Sequence, residues 1–176
     1  MGSIITGSST PIVTERPKQI RQAEKRMEIL IEDRQDRLRI DHDTVEKKAK
    51  SILNALGSPD GELSILIVSD QEIADLNKTY LDRSGPTNVM AFPMQEGPFG
   101  EITPRLLGDV VISLDTAARE AQQAGMTTES RFDQLLVHGI LHLFGFDHDK
   151  TAGGAKAMRI KEEELLKLLY PSERGF

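Results

Sequence analysis

The chain has 176 residues, 38% of them hydrophobic and 28% charged, with no cysteine and a formal net charge of −6. That is enough for one domain with a sizeable core and too few for two comfortable ones. Disulfides and thiolate metal ligands are excluded, and the acidic balance weighs against nonspecific nucleic-acid binding, which rests on Lys and Arg meeting phosphates.

Residues 1–27 are rich in Ser, Thr, Pro and Gly and then heavily charged, with little periodicity, so a flexible N-terminal extension is expected ahead of a domain over 28–176. The opening "MGSIITGSSTPIVTERPK" lacks the basic start and long apolar stretch of a signal peptide. No apolar run approaches the roughly 20 residues of a membrane span, so a cytoplasmic protein without a membrane partner is expected. "MEILIED" (27–33) predicts a first short strand. In "DTVEKKAKSILNAL" (43–56), Val45, Ala49, Ile52, Leu53 and Leu56 share one helical face, and Gly57 stops it. "ELSILIVS" (62–69) is a nearly continuous β-branched and Leu run, hence a buried strand. Asp70 is expected to cap the next helix, "DQEIADLNKTYL", with Ile73, Leu76, Asn77 and Tyr80 at helical spacing. "SGPTNVMAFPM" is a turn leading into a short strand that Pro93 ends or places at a sheet edge.

"LLGDVVISL" (106–114) is another strand, and Asp115 opens a helix closed by Gly125. Thr127 to Phe144 is the longest helical candidate, with Phe132, Leu135, Leu136, Ile140, Leu141 and Phe144 as its apolar face and Gly145 at its end. "AMRIKEEELLKLLY" forms a last amphipathic helix, stopped by Pro171. The expected architecture is a single α+β domain, with a small mixed β-sheet packed by helices and no regular βαβ repeat.

Three of the four histidines lie in "HGILHLFGFDH" (138–148), spaced H-x3-H-x5-H. His138 and His142 stack on one helical face with Cβ atoms roughly 6 Å apart, close enough for two imidazoles to reach one ion. Gly145 can take a positive φ and turn the chain so that His148 joins as a third ligand. Three neutral nitrogens suit zinc and leave a fourth tetrahedral position for water, the arrangement of catalytic rather than structural sites. Zinc lowers the pKa of such a water to around 7. His42, between two aspartates, reads as solvated. The H-E-x-x-H metalloproteases use the residue after the first His as general base. Here that residue is Gly139, which disfavours peptide hydrolysis by that route.

The histidine segment resembles the H-G-x-L-H-L-x-G-[YF]-D-H signature of the YbeY family of bacterial rRNA maturation endoribonucleases. "DLNKTYLDRSGPTNVMAFP" (75–93) and "LGDVVIS" (107–113) match further blocks in the expected order, and the resemblance runs from residue 28 to about 170. It implies a single α+β domain holding one zinc ion per chain on His138, His142 and His148. It also implies cleavage of single-stranded RNA in maturing the 3′ end of small-subunit rRNA and in ribosome quality control, with rRNA and the small subunit as partners and no DNA. The family pattern has Arg directly after the Tyr of the L-N-x-x-Y block, where this chain has Leu81, and Ser where it has Ala91. Arg83, two residues beyond Leu81, is the nearest basic candidate for an RNA phosphate clamp; the alternative is a solvated surface Arg.

Asp147 is read either as an acceptor orienting a ligand imidazole or as a turn former. Asp109, interrupting an apolar strand, is read as such an acceptor or as an edge residue. Two further functions stay open beside the endoribonuclease: a metallohydrolase of peptides or small molecules, and a non-catalytic, zinc-stabilised ribosome-associated protein.

Overall fold

Four strands, β1 (Glu28–Asp33), β2 (Glu62–Val68), β3 (Val89–Pro93) and β4 (Leu106–Ser113), form one sheet in the order β1-β2-β4-β3. The computed structural model describes residues 28–95, 104–147 and 152–171; the expected extension over 1–27 and the third histidine, His148, lie outside the described residues. Strand β1 pairs parallel with β2, β2 parallel with β4, and β3 antiparallel with β4. The apolar runs take the two central positions: Ile65 and Ile67 in β2, and Val110 and Ile112 in β4, are fully buried. Pro93 ends β3 at the sheet edge, where its missing N–H costs no ladder bond.

Five helices complete the fold: α1 (His42–Ala55), α2 (Asp70–Leu81), α3 (Leu114–Ala124), α4 (Thr128–Leu143) and α5 (Ala152–Leu169). There is one βαβ crossover and no regular βαβ repeat, as expected. Helix α1 returns the chain to the starting end of the sheet, so β1-α1-β2 is a parallel crossover unit. One face of the sheet carries the larger core, in which Val45, Ala49, Ile52 and Leu53 of α1 and Phe132, Leu136, Ile140 and Leu141 of α4 join Leu165 of α5. The other face carries a smaller cluster of Val68, Ile73, Met90 and Val111 beneath α2.

The helix starts differ from the sequence reading by one residue. Ser69, not Asp70, caps α2, accepting from the backbone N–H of Glu72 at 3.3 Å. Likewise Ser113 caps α3 and accepts from Thr116 N at 3.2 Å, so Asp115 falls inside the helix. Asp70 is left to accept from Ser113 Oγ (2.6 Å), Thr116 Oγ1 (2.5 Å) and Arg119 (2.9 Å), tying the starts of α2 and α3 together. Burial opposes its ionisation, but these bonds outweigh that and hold its carboxyl below the usual range. Serine is the smaller cap, and the carboxylate is more stabilised by a cation and two hydroxyls than by a single N–H.

Candidate metal centre

Helix α4 is capped by Thr127, which accepts from Ser130 N at 3.1 Å, and it runs between the sheet, α3 and α5. Neighbours on several sides explain why Val137 and Leu143 are buried beyond the single stripe that periodicity picked out. Helix α4 lies close against the sheet at Gly139. A Cβ placed there would lie 2.6 Å from Val110 Cγ1 of β4 and 3.1 Å from Val89 Cγ2 of β3. Glycine is therefore what lets this turn of α4, which carries both histidines, rest directly on β3 and β4. The glutamate of the metalloprotease pattern has no volume to occupy at that position.

One turn apart, His138 and His142 bring their Nε2 atoms to 3.1 Å, with ring centroids 4.7 Å apart and planes at 76°. Two imidazoles on one tetrahedral zinc, at Zn–N of about 2.0–2.1 Å, span about 3.3 Å between nitrogens. The pair fits a shared ion in distance and in donor chemistry. Behind the first ring, His138 Nδ1 meets Glu162 Oε1 of α5 at 2.6 Å. Gly145 takes φ +80°, as the sequence reading requires for a chain turning back after the helix. Asp147, next to His148, then lines the same cleft as His138 and His142. Among the described residues no group of three or more His, Cys, Asp or Glu is placed to hold a metal ion, and His148 lies outside them.

The cleft measures about 530 Å³ and wraps around the edge strand β3, from the end of α2 to the end of α4. Both positions that depart from the family pattern, Leu81 and Ala91, line it, and so does Arg83. Arg83 stands just past Asp82, which ends α2 in the left-handed conformation at φ 51°. Asn77, 6% exposed, holds this corner: its backbone carbonyl accepts from Arg83 N at 3.3 Å, and its side chain donates to Gly85 O at 2.9 Å.

Two residues sit apart from this cleft. Asp109 points to the opposite face of the sheet, because strand alternation sends Val110 towards α4 and Asp109 away from it, into a recess with Glu32, Arg34 and Tyr80. It therefore does not orient the histidines, and as part of a central strand it is not an edge residue either. His42 opens α1 with its ring exposed, 3.5 Å from Asp33 Oδ2. Glu162 was not singled out from the sequence, though a signal exists. It lies between Met158 and Leu165, both buried, on one stripe of α5. A carboxylate interrupting an apolar stripe calls for a partner.

Residues 30–170 match the family model described as Endoribonuclease YbeY. The chain belongs to the YbeY endoribonuclease family. It is 47% identical over 144 residues to the endoribonuclease YbeY of Geobacter sulfurreducens, covering 81% of this chain and 96% of that one. With the Syntrophotalea carbinolica endoribonuclease YbeY it shares 51% identity over 138 residues, covering 78% of this chain and 92% of that one. A Thermotoga maritima protein solved in solution has the same fold, with a TM-score of 0.58 at 21% identity, over 83% of this chain and 91% of that one. The α+β architecture is thus a YbeY-type fold, and no helix among the described residues is long and apolar enough to cross a membrane.

Proposed function

We propose that this chain is a metal-dependent endoribonuclease that cuts single-stranded RNA, with one zinc ion held by His138, His142 and His148. The observation that carries the metal reading is the approach of the two Nε2 atoms to 3.1 Å at the wall of an open cleft. The endoribonuclease names of the relatives carry the reaction class. Zinc bound there would supply Lewis acidity towards a phosphoryl oxygen and a water of lowered pKa.

The residues of the chain have separate tasks in this reading. The α4 turn resting on Val110 and Val89 through Gly139 fixes where both imidazoles point. Arg83, across the cleft, meets the phosphate next to the scissile bond, where charge grows on the equatorial oxygens. Phe146, also in the wall, offers a face on which a base can stack, a contact that tolerates any sequence. A net charge of −6 leaves little nonspecific attraction for RNA, so affinity has to come from this local set. In the cell the substrate would be rRNA of the small subunit, trimmed at its 3′ end in the cytoplasm and monitored for quality.

The test uses purified full-length chain with a labelled single-stranded RNA oligonucleotide, with and without chelator, beside His142→Ala. The wild type should carry close to one zinc per chain and cleave, and the variant should lose both properties. Casein-like peptides should stay intact. Zinc retained by His142→Ala would overturn the site, and proteolysis without RNA cleavage would overturn the reaction. Shortened rather than extended 3′ ends of small-subunit rRNA in cells lacking the protein would contradict the maturation role.

A further inference from the structure

Helix α5 carries its buried side chains at Met158 and Leu165, 2% and 1% exposed, and Glu162 falls on the same stripe, four residues after one and three before the other. A carboxylate facing a neighbouring helix is costly unless something there receives it. What receives it is His138 of α4: Oε1 of Glu162 stands 2.6 Å from Nδ1, with the two side chains 27% and 30% exposed. The other nitrogen of the same ring, Nε2, is the one that faces His142.

These two contacts together decide where the ring proton sits. A carboxylate can only accept, so the proton of a neutral His138 ring belongs on Nδ1, and the lone pair is left on Nε2, towards His142. We infer that Glu162 is a positioning residue that sets the tautomer and the orientation of His138 for metal binding. This rests on the metal reading of the preceding section. The carboxylate stops the ring from turning about its Cβ–Cγ bond and so keeps Nε2 aimed at the ion. Glu163 and Arg159 share the recess behind the ring, but Glu163 is exposed and off the buried stripe. Arg131, at the same recess, is paired with Glu120 at 2.9 Å.

The experiment compares zinc dissociation constants, by competition with a chromophoric chelator, for wild type, Glu162→Ala, Glu162→Gln and Glu163→Ala. Glu162→Ala should bind zinc about 10–100-fold more weakly. Glu162→Gln, which keeps an oxygen that can accept from Nδ1–H, should lose less, and Glu163→Ala should match the wild type. Nitrogen-15 NMR of the zinc-stripped proteins gives a second readout that needs no activity. The neutral His138 ring should carry its proton on Nδ1 in the wild type and shift towards Nε2–H in Glu162→Ala. Equal zinc affinity in wild type and Glu162→Ala would overturn the inference, as would an equal loss in Glu163→Ala, which would mark a general charge effect. A wild type that takes up no zinc would overturn the metal reading itself, and this inference with it. That outcome differs visibly from equal binding by all variants.

Discussion

Replacing Gly139 with Ala tests the claim that α4 rests on the sheet at this residue. In an ordinary helix interior the change stabilises by about 1 kcal/mol, because alanine loses less backbone entropy and glycine is a poor helix former. Here the new methyl would stand 2.6 Å from Val110 Cγ1, 3.1 Å from Val89 Cγ2 and 3.4 Å from Val110 Cγ2. Carbon atoms pack best at about 3.5–4.0 Å, so something must yield by about 1 Å. Val110 is fully buried and β-branched, with little freedom at χ1, and it sits in a central strand. Overpacking of this kind costs about 1–3 kcal/mol, which outweighs the helical gain over most of that range. A net loss of up to about 2 kcal/mol should lower the melting temperature by up to roughly 8 °C, since each kcal/mol moves a chain of this size by about 2–4 °C. If the helix yields instead of the valine, both histidines move with it, so zinc affinity should fall as well. Differential scanning calorimetry with a chelator titration reads both effects. A melting temperature that rises on substitution would show α4 standing further from β4 than the structure has it, and would refute the packing argument.

Arg83→Ala should reduce RNA cleavage by roughly 10²-fold with bound metal unchanged, measured by single-turnover cleavage and elemental analysis; cutting at the wild-type rate would make Arg83 a surface residue. Lys48→Met should destabilise by about 3 kcal/mol in a thermal melt, because Asp133, 1% exposed, loses the ammonium 2.7 Å away. Tyr170, whose hydroxyl burial and the adjacent Asp133 push up to about 12, still donates to Asp133 but brings no charge. Adding Asp133→Leu should restore most of that loss, and no restoration would mean the lysine acts through its packing. Asp70 gives a pH signature: its folded pKa lies below the unfolded value of about 3.9, so its contribution is fully present above about pH 4 and fades as pH falls through the folded value. The melting-temperature deficit of Asp70→Ala should therefore shrink on acidification, and a deficit constant with pH would remove Asp70 as the joint between α2 and α3.

Periodicity was most informative where one neighbour dominates an element. The apolar face expected for residues 43–56 is the buried face of α1, from Val45 to Leu53, because α1 meets the domain from one side. The order of the strands was less accessible. Nothing in "MEILIED" or "ELSILIVS" states that the two run parallel; that follows from how far α1 carries the chain back. Asp70 and Asp115 were misplaced by one residue because Ser69 and Ser113 precede them and serine caps equally well. The side of the sheet that Asp109 takes is not legible, because a strand shows which residues alternate and not which of its two faces meets a given helix. Within the candidate site, the i, i+4 histidine pair and the positive φ at Gly145 were legible, being local. Glu162 was not, because its partner is 24 residues away and two more glutamates follow it directly. Only burial of Met158 and Leu165 on either side separates it from them.

The position of Arg83 follows the same logic of local geometry. Leu81 is the last residue of α2 and is 48% exposed, so the side chain the family pattern places there leaves from a helical backbone whose direction is set. Asp82 then takes the left-handed conformation, and the chain turns before Arg83. A guanidinium two residues later therefore starts from a different point on the cleft wall, and a loop would ordinarily leave it without a fixed origin. In this chain the loop has two ties to one residue: Asn77 accepts from Arg83 N and donates to Gly85 O. Asn77 is 6% exposed and belongs to α2, which packs through the fully buried Ile73 on the sheet. The origin of the Arg83 side chain is thus referenced to the same sheet on which Gly139 seats the histidines. A phosphate held between the two sides of the cleft would meet partners fixed to one frame, which is the condition for a cation to favour the transition state over the ground state.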